Sequence, residues 1–133
     1  HYADWFMARA RAGWCAVPNP FNARQVARVS LDAGDVDAVV FWTRDPRPLL
    51  PHLPELDSLG LGHVFQFTLL EYPPALHPGM PPLGERLDAF RRLSDAVGPE
   101  RSLWRYDPVV LTEALDPAFH ERMFSSLCRE LAG

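Results

Sequence analysis

The stretch Leu103-Trp104-Arg105-Tyr106-Asp107-Pro108 decides how this chain is read. Aromatic and apolar residues run into Asp-Pro, the pattern of a strand that ends in a turn. Side chains alternate faces along a strand, so Arg105 and Asp107 share one face and Trp104 and Tyr106 the other. Charges at the end of a buried strand are costly unless they are paired or do chemistry. In parallel α/β folds, that C-terminal end is where ligands sit.

Residues 64–70 alternate in the same way, with Phe65, Phe67 and Leu69 on one face and Val64, Gln66 and Thr68 on the other. Residues 38–42 predict a strong buried strand. Thr43-Arg44-Asp45-Pro46 ends it, and Asp45 is expected to cap a short helix near residues 47–50 with Pro46 at its first position. Residues 51–62 are interrupted by Pro and Gly and read as weakly helical. Residues 71–82 hold five prolines and predict an irregular excursion. Leu83, Leu87, Phe90 and Val97 recur at helical spacing before a Gly98-Pro99 stop. Asp116-Pro117 repeats the capping pattern, and Phe119, Met123, Leu127 and Leu131 form the apolar stripe of a last helix.

Before these elements, residues 2–12 predict a helix stopped by Gly13. Short strands are expected at 14–17 and 25–31, the second followed by a turn at 32–35. Pro18-Asn19-Pro20-Phe21-Asn22 between them looks too broken for regular structure. Strands ending near Trp42, Thr68 and Asp107 with helical crossovers argue for right-handed βαβ units. The expected fold class is α/β: one partial (β/α)-barrel-like parallel sheet with flanking helices over residues 1–133. In a barrel, the polar faces of two strands would turn into the lumen and the aromatic faces would meet the outer helices.

The chain has 133 residues, 47% of them hydrophobic, enough for one sizeable core. Its start at His1 and its end at Gly133, directly after an amphipathic pattern, read as those of a segment of a longer protein. The net charge of −4 gives no basic field for nucleic acid. All 13 basic residues are Arg, a uniform bias better explained by genome composition than by a special role. Cys15 and Cys128 form no CxxC pattern, and Cys128 fits a small core residue. No apolar run approaches the roughly 20 residues of a membrane span, and a reduced, cytoplasmic setting is the default.

A polar lumen holding Gln66, Thr68, Arg105 and Asp107 would suit a small-molecule substrate. Arg105 could clamp a carboxylate or phosphate, and Asp107 could orient it or act as a base. The competing readings are a purely structural Arg–Asp bridge, or a solvent-exposed face of an antiparallel sheet. Trp42, Thr43 and Asn22 form a second tier of candidates, set against core packing for Trp42, helix capping for Thr43 and turn formation for Asn22. The five histidines are scattered without HxH or HExxH spacing, which argues against a zinc site, and His120 is expected on the solvated face of the last helix. GxGxxG, GxxxxGK[ST] and GxSxG do not occur.

Five segments in order carry a resemblance: His1-Tyr2-Ala3-Asp4-Trp5-Phe6-Met7, Asn19-Pro20-Phe21-Asn22, Val40-Phe41-Trp42-Thr43-Arg44-Asp45-Pro46, Phe65-Gln66-Phe67-Thr68-Leu69 and Trp104-Arg105-Tyr106-Asp107-Pro108. Over nearly its whole length the chain resembles the uncharacterised bacterial family called domain of unknown function 1848. Members of that family look similar to radical S-adenosylmethionine enzymes. The resemblance implies a partial or full (β/α) barrel. It also implies an iron–sulfur cluster and S-adenosylmethionine in the full-length parent, bound through a C-terminal cysteine cluster that this chain lacks. The alternatives are a metal-free barrel enzyme acting on an anionic small molecule, and a non-catalytic binding module.

Overall fold

The alternation at residues 64–70 becomes a strand with one dry face in the computed structural model, which describes residues 2–132. The chain runs α1 (Tyr2–Ala12), β1 (Trp14–Asn19), β2 (Asn22–Ser30), β3 (Val39–Thr43), α2 (Leu53–Ser58), β4 (His63–Thr68), α3 (Leu83–Val97), β5 (Ser102–Arg105) and α4 (Pro117–Ala132), with 3-10 turns at Leu50–His52 and Pro99–Arg101. The architecture is mixed α/β: a three-stranded parallel sheet ordered β3-β4-β5 with flanking helices, and a separate β1-β2 pair. Among the described residues the sheet does not close into a barrel. The chain divides into two compact units, residues 1–40 with 48–64 and residues 41–47 with 65–133.

In the first unit, α1 buries Ala3, Phe6, Met7 and Ala10, residues spaced by three and four positions as one helical face requires. Gly13, at φ 71°, takes the left-handed position that stops the helix, its N–H bonded to Ala10 O. Arg11 forks onto the Glu55 carboxylate at 2.6 and 2.8 Å. The segment 51–62, expected to be weakly helical, contains the regular helix α2 with Leu53 and Leu56 buried. Its prolines fall at the first turns of the 3-10 segment and of α2, where no backbone N–H is needed.

The break expected at residues 18–22 is instead a hairpin. β1 and β2 pair antiparallel from Trp14↔Ser30 to Asn19↔Asn22, leaving only Pro20 and Phe21 to turn the chain. Asn19 organises that turn, accepting the Phe21 N–H at 2.9 Å and donating to Gln25 at 3.0 Å. The ladder shifts register between Pro18 and Asn19, beside the proline that has no N–H to give.

In the second unit, Phe65, Phe67 and Leu69 are fully buried. β4 and β5 pair parallel with Phe67↔Trp104 and Thr68↔Arg105 in register. Phe67 meets Phe90 of α3, and Trp104 stacks on Phe124 of α4 at 4.9 Å. Gly98, at φ 85°, stops α3, and Asp116 caps α4 by accepting the Phe119 N–H at 2.7 Å. Pro117 occupies the first helical position of α4.

Two further expectations differ from the structure. β3 is not buried on both faces: Phe41 stacks on Phe65 at 4.9 Å, whereas Trp42 is 72% exposed. A continuous apolar run needs cover on both sides of a sheet, and here one side is open. The helix expected near residues 47–50 starts later: Thr43 Oγ1 accepts the Asp45 N–H and Asp45 Oδ1 accepts the Arg47 N–H, so these side chains fold a turn rather than cap a helix.

Candidate functional site

β5 ends at Arg105, one ladder bond before the chain leaves the sheet, where Leu69 N–H bonds to Arg105 O. Asp107 therefore lies past the strand, yet its carboxylate accepts a 2.6 Å hydrogen bond from the Arg105 guanidinium. The same guanidinium sits over the Trp42 ring, 4.8 Å from its centre. Arg105 is thus a partly exposed cation held by a carboxylate and an aromatic face. Such a cation is oriented without being consumed, because a guanidinium keeps further N–H donors for a second anion.

Thr68 is Arg105's partner in the ladder, and Gln66 lies two residues back on the same face of β4. Both are half-buried. The structure thus brings Trp42, Arg105 and Asp107 together, with Thr68 and Gln66 on the adjoining strand face. Thr43 closes β3, and its hydroxyl is taken by the Asp45 N–H at 2.9 Å. Asn22 belongs to the first unit, where its side chain accepts the Arg24 N–H at 3.2 Å in the hairpin. Asp45 is also held by Arg47, whose hydrogen bonds keep its carboxyl below the usual carboxylate range. His1, which opens the N-terminal motif, lies outside the described residues.

The loop after Arg105 is fastened by residues whose role the sequence left hidden. His120, expected on a solvated face, is buried in α4. Its Nε2 faces Val110 O at 3.0 Å and its Nδ1 faces the Tyr106 hydroxyl at 2.8 Å. A carbonyl only accepts, so Nε2 carries a proton, and in the neutral tautomer Nδ1 accepts from Tyr106. Tyr72 adds a second fastening: its hydroxyl donates to Pro108 O and accepts the Val110 N–H, both at 2.8 Å. Leu70, Tyr72 and Leu115 pack there with Tyr106, Val110 and Phe119. Burial, and then the nearby Tyr72, push the Tyr106 hydroxyl above its usual value, so it stays protonated and able to donate.

Arg86 is the other residue missed. It occupies the apolar stripe of α3, three positions after Leu83, and that placement was the available signal: a cation on a face that must be buried.

Fold and site together define an α/β protein with a charged pair and an exposed indole at the C-terminal ends of parallel strands. The chain belongs to the family described as Domain of unknown function (DUF1848), whose profile matches residues 1–133. No curated protein and no solved structure matches the chain. Among the described residues no helix is long and apolar enough to cross a membrane.

Proposed function

We propose that this chain is the wall of a partial (β/α) barrel in an enzyme that binds a small anionic molecule at the ends of β3, β4 and β5. One observation carries the reading: Arg105 is fixed by Asp107 at 2.6 Å and by the Trp42 ring at 4.8 Å. Arg105 is the anion clamp, and Asp107 orients it or takes a proton from the substrate. Gln66 and Thr68 hydrogen-bond the substrate, while Trp42 and Thr43 shape the rim. The substrate is a small carboxylate or phosphate compound rather than nucleic acid, in keeping with the net charge of −4.

The resemblance to radical S-adenosylmethionine enzymes adds an iron–sulfur cluster and that cofactor to the longer protein. The described residues do not fit such a cluster. They contain no group of three His, Cys, Asp or Glu that could hold a metal, and Cys15 and Cys128 are isolated thiols on β1 and α4. Any cluster ligands would come from other parts of the protein.

Inorganic phosphate titrated into the protein should change the Trp42 emission saturably, and Trp42→Phe should remove that signal. Arg105→Ala should weaken binding by about tenfold or more, the worth of a charge-assisted hydrogen bond. Unaltered phosphate binding in Arg105→Ala sinks the reading. Iron and acid-labile sulfide in the anaerobically purified full-length protein test the cofactor part separately.

A further inference from the structure

The proline-rich loop 71–82 and α3 border a partly open pocket of about 190 Å³, lined by Glu71, Tyr72, His77, Met80 and Arg86 together with several prolines. A single water needs only about 10–15 Å³ by the same measure, so the space suits a compact small molecule. Arg86 is 4% exposed. Its Nε donates to Pro81 O at 3.0 Å, its Nη1 to Leu70 O at 2.8 Å, and its Nη2 to the Glu71 carboxylate. A guanidinium carries five N–H donors, so two remain. His77 also lines the pocket; its Nδ1 is buried with no hydrogen-bond partner, and its ring packs edge-on against Tyr72. A buried polar atom left unpaired costs free energy that a ligand group would recover.

The charges around the cavity favour one sign. Among the lining residues Arg86 is paired with Glu71, and the positive charge of Arg44 reaches both His77 and Arg86. Burial first, and Arg44 second, lower the pKa of His77 and keep its ring neutral, with one nitrogen free to carry a proton as a donor. We propose that this cavity binds a compact anion, a carboxylate or a phosphate, through the remaining N–H groups of Arg86 and the Nδ1–H of His77. Glu71 tempers the affinity. This site is independent of the Arg105 clamp and uses none of its residues.

Phosphate and acetate, titrated in parallel into the full chain by calorimetry, separate the two ligand chemistries. The histidine ring ¹H–¹⁵N spectrum is followed in the same samples. Binding of either anion should shift the His77 Nδ1 resonance. His77→Phe keeps the aromatic packing but not the donor, and should weaken binding about tenfold. Glu71→Gln removes the opposing charge and should tighten it about threefold or more. The proposal is overturned if neither anion moves the His77 resonance, or if Glu71→Gln weakens binding, which would mark a cation site. It is equally overturned if Arg105→Ala abolishes all anion binding while His77→Phe changes nothing. That last pattern would leave the Arg105 reading standing, so the two failures are distinct.

Discussion

The β1-β2 hairpin and the β4-β5 pair solve strand pairing in opposite ways. The hairpin is antiparallel and closes through two residues, and every residue of β2 but the last is exposed. Phe21 at its tip is 97% exposed. The β4-β5 pair is parallel, spans only four registered pairs, and buries Phe65 and Phe67 completely. A hairpin holds its register through its turn and local ladder, at little cost in chain entropy. A parallel pair must wait for a crossover, here α3 and its flanking loops, and is held by the face that the crossover covers. Burial in one region and local hydrogen bonding in the other do the same structural task.

Substitution should expose that contrast most strongly at Phe67. Phe67→Ala leaves a cavity in a fully buried site and should cost about 3–5 kcal/mol in urea unfolding. Val26→Ala, on the exposed hairpin, should cost less than about 0.5 kcal/mol. Similar losses at the two positions would mean that the hairpin is packed rather than self-supporting.

Arg86→Met tests the buried polar contacts of the second unit. It strips the Leu70 and Pro81 carbonyls and Glu71 of their donor, and should cost about 2–3 kcal/mol, less than a fully buried pair because Glu71 is half-exposed. A neutral or stabilising result would mean that the apolar stripe of α3 tolerates a simple hydrophobe there. Next in size is Asp116→Ala, which removes the α4 cap and should cost about 1 kcal/mol by thermal melting.

The smallest effect is a pH dependence. Folding lowers the pKa of His77 beneath its ordinary 6.5, so the unfolded chain takes up the proton first. Stability is therefore full above 6.5 and falls as the pH drops below it toward the folded value. Urea midpoints at about pH 7.5 and about pH 5.5 should differ less in His77→Phe than in the parent chain. An unchanged difference would assign the acid sensitivity to other groups.

What could be read in advance followed from periodicity. Phe65, Phe67 and Leu69 announced a half-buried strand, and Asp116-Pro117 announced a helix start, because each rests on a local rule. The pairing of Arg105 with Asp107 was also legible, since two residues on one strand face stay neighbours even as the strand ends. The hairpin was not, because Pro18 and Pro20 suggest broken chain while the ladder bonds that rescue it come from β2. Trp42 was misjudged because an apolar run does not say how many faces of its sheet are covered. His120 and Tyr72 escaped notice for a different reason: their partners Val110, Tyr106 and Pro108 are brought to them only by tertiary folding.

The Tyr72 hydroxyl bond to Val110 has a kinetic consequence. An amide in an irregular loop ordinarily trades its hydrogen for solvent deuterium almost at once. That of Val110 is held by a side chain from beyond the end of β4, so it exchanges only when two separate loops part. Its isotope uptake is a clock for that parting, readable on one resonance, and Tyr72→Phe should set it running at the rate of an unprotected peptide.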